Sequence, residues 1–297
     1  MKKKWDIVHV FNIHSVFPVL IAGLIQKKPV IYEIEDVFED STYMPKLIRP
    51  FIKIIDKICM KFSSAVIVID EKITHEFNGI PNKKVIAIYD SPLDSYSLYK
   101  TYNSITSSET EKFLIFNEGL YFNKRNLMLE SLFSAVCDLD NVMLVLAGKG
   151  EQIDYIQAWE QKWPGKIKYL GYIGYDDVIR LSFKSDLLLG LRNPGDIQNK
   201  YNCGSKLMKA MMCGKPCLVN KDTSGADIVF KEKCGLIVDG MNQKEIKSAI
   251  ETLKNDTQLA KRLGENARIA YNQKYGWHIM EERLLNLYED LIKNKNS

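Results

Sequence analysis

Between two apolar runs the chain reads Asn202-Cys203-Gly204-Ser205-Lys206-Leu207-Met208-Lys209-Ala210-Met211-Met212-Cys213-Gly214-Lys215-Pro216, a loop followed by a short helix that stops at Gly214. The start of a helix presents backbone N–H groups without intrahelical partners and the positive end of the helix dipole. Lys206 adds a full positive charge in the first turn, where the helix itself does not favour one, and Gly204 and Ser205 stand directly before it. This is the pattern of a cradle for an anion, phosphate above all. A second cation, Arg125, follows Gly119 near the start of another expected helix, and its forked guanidinium suits phosphate oxygens. Two cations of this kind would share the charge of one bound phosphate group. Gly119, Gly148, Gly150 and Gly171 each come just after an apolar run, where a glycine lets backbone turn tightly or approach a ligand closely. An ordinary strand-to-helix turn also uses glycine, so the meaning of these positions depends on what the strands bring together.

Those strands are legible. Short apolar runs alternate with helical stretches, the mark of strand-helix-strand units and an α/β fold with parallel sheets. In the first part the expected strands are Ile7–Phe11, Val30–Ile34, Ala65–Ile69 and Val85–Tyr89. A polar stretch over 95–111 then reads as a linker. Beyond it come Phe113–Phe116, Val142–Ala147, Ile167–Leu170, Leu187–Leu191, Pro216–Val219 and Leu236–Val238. From Asn242 onward the pattern is helical, with breaks expected at Gly264 and Gly276. In an open parallel sheet ligands bind beyond the carboxyl ends of the strands, where the glycines above fall.

A length of 297 residues fits two domains, and 46% hydrophobic with 26% charged residues excludes a disordered chain. The longest apolar run, Val16–Ile25, is about half of the ~20 residues that cross a bilayer. Asp6, His9, Asn12 and His14 interrupt a segment that otherwise imitates a signal peptide, so a cytoplasmic protein is expected. The +4 net charge is spread along the chain, which argues against a nucleic-acid partner. Six cysteines form no C-x-x-C pair and four histidines have no metal spacing; the cysteines read as small buried hydrophobes, and no metal site is expected.

Several stretches together resemble a glycosyltransferase of the GT-B fold, in the group called family 4 or group 1. They are WDIVHVFNIHSVFPVLIAG, KFSSAVIVID, NEGLYFNKRN, VMLVLAGKG, IKYLGYI, NKYNCGSKLMKAMMCGKPCLVN, CGLIVD and YGWHIMEERLLNLYEDL. The resemblance implies two Rossmann-like domains: an acceptor-side domain over 1–108 and a nucleotide-sugar-binding domain over 109–272, with a helix over 273–297 crossing back onto the first. It implies a retaining, metal-independent transfer from a UDP- or GDP-linked sugar, used as substrate with no cofactor, to a polysaccharide or glycolipid acceptor. Arg125 and Lys206 would hold the donor diphosphate, Gly204 and Ser205 would lie beside the phosphates, and backbone near Tyr172 and Ile173 would receive the base, with Gly119 and Gly148 close by.

The sequence departs from the family in three places. The family's first domain usually opens with a strand and a glycine-rich loop ahead of the position of Trp5–His9, so a shortened first domain is expected, with an exposed edge that invites a homodimer or a partner subunit. A histidine of the family's first domain would fall at Phe11, and its His-Asp pair reads Glu35-Asp36; His14 is taken as the catalytic substitute, with Glu35 as the alternative. Lys209 stands where the family has a glutamate that accepts from the nucleotide ribose, and a lysine has donors only. Weak donor binding is therefore expected. A catalytically silent binding subunit is the rival reading, and an epimerase of similar architecture ranks below both. Finally, 44–62 sets Lys46, Arg49, Lys53, Lys57 and Lys61 among Leu47, Ile48, Phe51, Ile54, Ile55 and Ile58, a basic amphipathic helix suited to the surface of an anionic membrane.

Overall fold

The computed structural model describes residues 5–35, 45, 47–76, 79–80, 82, 84–99, 112–120, 127–195 and 197–293. Among them, ten strands form two all-parallel sheets, one of four strands and the other of six. The chain divides into two units: Met1–Asp90 with Gly195–Asn202 and Trp277–Ser297, and Ser91–Pro194 with Cys203–Gly276.

In the first unit, β1 (Val8–Phe11), β2 (Val30–Ile34), β3 (Ala65–Val68) and β4 (Val85–Ala87) lie in sequential order, joined through the helices Asn12–Gln26 and Arg49–Phe62. β3 is buried throughout and carries unbroken Ala, Val and Ile rather than an alternating pattern, and β2 is buried at every position but Glu33. The helix Trp277–Lys293 belongs to this unit. Its Met280 and Leu287 are buried, Arg283 donates to the Ala87 carbonyl (3.0 Å), and the Tyr288 hydroxyl meets His9 Nδ1 at 2.8 Å.

The second unit holds β5 (Phe113–Leu120), β6 (Val142–Lys149), β7 (Ile167–Tyr169), β8 (Leu187–Gly190), β9 (Cys217–Asn220) and β10 (Gly235–Val238). One continuous core, with Ile115, Phe133, Leu144 and Ile250 wholly buried, joins the sheet to the helices Leu127–Cys137 and Gln243–Asn255. The chain builds outward from β5 in both directions, through β6 and β7 on one side and through β8, β9 and β10 on the other. The order therefore reverses between β5 and β8, the place where an open α/β sheet leaves a crevice at its carboxyl edge.

The strands fall within one or two residues of the apolar runs, with one exception of consequence. β5 continues four residues past Phe116, because Asn117, Glu118, Gly119 and Leu120 stay in register with Leu146, Ala147, Gly148 and Lys149 of β6. Polar side chains are thereby fixed on a rigid strand rather than carried on a loop. Two other expectations change. The long helical tail breaks at Asp256, whose carboxylate accepts from the Leu259 N–H (2.8 Å), and not at Gly264. Gly264 lies inside the helix Thr257–Ala270 for a packing reason: a Cβ there would come within 2.3 Å of the Gly214 carbonyl oxygen. Of the stretch expected as a linker, Tyr96–Tyr99 forms a single helical turn, and 100–111 lies outside the described residues.

Candidate functional site

At the carboxyl edge of the second sheet, Gly204 enters the helix Ser205–Cys213 with φ 75°, a conformation that side chains rarely adopt. A Cβ on it would also meet the Arg192 guanidinium at 2.3 Å, so the bare backbone is what lets this cation lie against the helix start. Lys206 follows in the first turn. Its ammonium donates to Asn117 Oδ1 at the end of β5 (3.0 Å) and lies over Gly119, 3.0 Å from where a Cβ would project. Burial lowers its pKa from 10.5 to about 8; Glu118 opposes the shift, while Arg192 and Lys209 add to it. A lysine held in this way is a desolvated cation next to another cation, and an anionic ligand would relieve it.

Lys209, one turn further on, is buried, and its ammonium lies 2.5 Å from Glu118 Oε1. A carboxylate from β5 therefore compensates the charge of Lys209. On the other side of Glu118 is a hollow of about 190 Å³ lined by Glu118, Gly119, Ala147, Gly148, Lys149, Tyr172, Ile173 and Val178. The Tyr172 ring is exposed at its rim, with the Lys149 ammonium 5.5 Å from the ring centre, and the Tyr169 hydroxyl donates to the Gly148 carbonyl (2.8 Å). Chemically, the arrangement offers a pair of cations for a phosphate group, leading past a carboxylate into a partly apolar recess.

Of the residues picked from the sequence, Gly119, Gly148, Tyr172 and Ile173 line this hollow, Lys206 and Lys209 reach Gly119 and Glu118 on its wall, and Gly204 and Ser205 lie at the start of the helix that carries both lysines. Arg125 lies outside the described residues. His14 is exposed on the helix Asn12–Gln26 of the first unit. Near it, the Asn12 side chain and Glu35 exchange two hydrogen bonds of 3.3 and 3.1 Å across the ends of β1 and β2. Sequence reasoning missed Arg192 and Glu118. Arg192 comes two residues after β8, so the rule that drew attention to the post-strand glycines could have found it. All six cysteines are buried, and burial pushes the Cys137 thiol up to about 11.

The model of the glycosyl transferases group 1 family matches residues 100–270, more than half of the chain. The chain belongs to the group 1 glycosyltransferases. A relative, an uncharacterized glycosyltransferase of Methanocaldococcus jannaschii, is 23% identical over 79% of this chain and 57% of its own length. The N-acetyl-alpha-D-glucosaminyl L-malate synthase of Bacillus anthracis is 25% identical over 74% of this chain and 57% of its own. The chain thus spans little more than half the length of these curated relatives. Among solved structures, that of Anabaena HepE in complex with UDP matches with a TM-score of 0.73 at 17% identity, over 96% of this chain and 79% of that one. The likeness establishes the GT-B fold for this group 1 glycosyltransferase.

Proposed function

We propose that the chain transfers a sugar from a UDP- or GDP-linked donor to a polysaccharide or glycolipid acceptor, with retention and without a divalent metal. One observation carries this reading: Lys206 and Arg192 converge at the reversal point of the second sheet, next to a hollow of nucleoside dimensions. In the transfer the bond from the anomeric carbon to the diphosphate oxygen breaks, the acceptor oxygen forms the new bond, and the acceptor proton leaves with the displaced phosphate. The negative charge that grows on the diphosphate falls where Lys206 and Arg192 are already fixed, with Arg125 assigned to the same task. Gly204 and Ser205 supply helix-start N–H groups, and Tyr172 and Ile173 flank the base. His14 is assigned to the acceptor side. In support, the HepE structure holds UDP, and the Bacillus relative is named for an N-acetylglucosaminyl product.

The acceptor reading draws on the first unit. No helix among the described residues is long and apolar enough to cross a membrane. Yet the helix Arg49–Phe62 leaves Phe51, Ile54, Ile58 and Phe62 exposed, with Leu47 just before it 83% exposed, and the adjoining helix Asn12–Gln26 exposes Phe17, Ile21, Leu24 and Ile25. Apolar area on this scale, set among lysines, fits peripheral docking on an anionic membrane where a lipid-linked acceptor would reside. β1 and β4 are the outer strands of this unit's sheet, and either edge could take a second chain.

Calorimetry with UDP and GDP, followed by an assay of released nucleoside diphosphate against a panel of nucleotide sugars, tests the reading. An active transferase binds one of the two and releases it from a matching donor. A silent subunit binds neither, and that result would overturn the proposal.

A further inference from the structure

Glu118 has no part in the transfer outlined above, yet it is the residue common to the two halves of the site. It lines the hollow beside Tyr172 and also the narrow recess that contains Lys206 and Lys209. In a nucleoside diphosphate the sugar ring lies between the phosphates and the base, so whatever stands between a phosphate cradle and a base hollow faces the ring and its hydroxyls. We propose that Glu118 is the residue that recognises the ribose hydroxyls of the donor, and that Lys209 is the positioning residue that holds it there. The inference rests on the donor-site reading and adds its specificity element.

Three physical points carry it. A vicinal diol has O–H groups to donate, and an ionised carboxylate is an acceptor with two oxygens; Lys209 holds Oε1 at 2.5 Å. A lone carboxylate beside a diphosphate would repel it. Paired with Lys209, Glu118 adds no net charge, and the positive charge of Lys206, held by the neutral Asn117, remains for the phosphates. The placement is also rigid at both ends: Glu118 is in register with Ala147 of the neighbouring strand, and Lys209 is buried in the helix Ser205–Cys213. A mobile side chain would discriminate poorly, whereas one fixed from the strand and from the helix presents its free valence in one direction.

The test compares UDP and GDP with their 2′,3′-dideoxy counterparts by calorimetry on the full chain. For the nucleotide that binds, the dideoxy form should bind about 10- to 100-fold more weakly, the range for a hydrogen bond to a charged group. Glu118→Ala alone leaves a buried ammonium without its carboxylate and risks misfolding, so the informative variant is Glu118→Ala with Lys209→Met, which removes both charges together. It should still bind the nucleotide, with the penalty for losing the hydroxyls reduced to within about threefold. Lys209→Arg, which keeps a cation opposite Glu118, should retain most of the wild-type discrimination, whereas Lys209→Met should lose it. Wild-type protein that binds the two forms equally, or a double variant that discriminates as the wild type does, overturns the assignment of Glu118 alone. Wild-type protein that binds neither UDP nor GDP overturns the donor site and this inference with it.

Discussion

Replacing Lys206 by methionine separates what this lysine does for the fold from what it does for a ligand. Its pKa is lowered from 10.5 to about 8. At about 1.4 kcal/mol per unit, keeping the ammonium charged in the folded state costs at most about 3 kcal/mol. The sign follows from proton binding. Between pH 8 and 10.5 the unfolded chain holds this proton more tightly than the folded one, so stability rises with pH across that window; below pH 8 both states are protonated and the full cost is present. Lys206→Met removes the cost and also the hydrogen bond to Asn117, worth about 1 kcal/mol. The variant without ligand should therefore be more stable than wild type at pH 7 by about 1 to 2 kcal/mol, a rise in Tm of several degrees for a unit of this size. Its affinity for UDP or GDP should fall by about 10²-fold. In the wild-type protein a diphosphate restores the lysine proton, so calorimetry in buffers of different ionisation heat should show proton uptake on binding near pH 8.5 and little at pH 6.5. A variant less stable than wild type, or uptake that does not change with pH, would refute the account of Lys206 as a strained cation awaiting an anion.

Three further outcomes are expected. Arg192→Ala and Arg125→Ala should each lower turnover by ~10²-fold with donor saturating and leave the fold intact; near-normal rates in both would remove the cation pair from the mechanism. Lys209→Glu, which by the family pattern alone would restore a ribose acceptor, should instead set two carboxylates against each other and destabilise the second unit by about 3 to 5 kcal/mol, measurable as a large drop in Tm; a gain in nucleotide affinity would show that Glu118 can turn away. Changing Lys53 and Lys57 to Glu should reduce sedimentation with anionic vesicles, at about 1 kcal/mol per charge, and raised salt should act in the same direction, whereas equal sedimentation of wild type and variant would leave the exposed apolar helix without a membrane role.

The strands were readable because a doubly covered parallel strand must be a short continuous apolar run, and the run ends when the cover ends. That logic stopped at Phe116, since nothing in Asn117-Glu118-Gly119 is apolar; only the eight-residue ladder with β6 keeps those residues in the strand. The Lys209–Glu118 pair was unreadable for a related reason. Its partners are 91 positions apart, and the lysine alone looks like a departure from a pattern until the carboxylate that cancels its charge is found beside it. Lys206 and the glycine before it were legible because a helix start is a local feature with a local signature. Gly264 shows the reverse case, a glycine kept inside a helix by a carbonyl of the loop after another helix, which no local rule detects.

The first unit is assembled from segments on both sides of the second, and this bears on the order in which the two can be completed. Its four described strands leave the ribosome before the second unit, but Met280, Arg283 and Tyr288, which meet the Tyr89 amide, the Ala87 carbonyl and His9, are translated after it. The second unit is complete once Gly276 has been added, so its core can close while the earlier sheet still lacks one of its helices. The unit begun earlier is thus finished later, and until the helix Trp277–Lys293 is made its strands lack part of their cover. For the same reason a fragment cut after β4 would carry the four described strands of that sheet and still lack a helix the unit is built with.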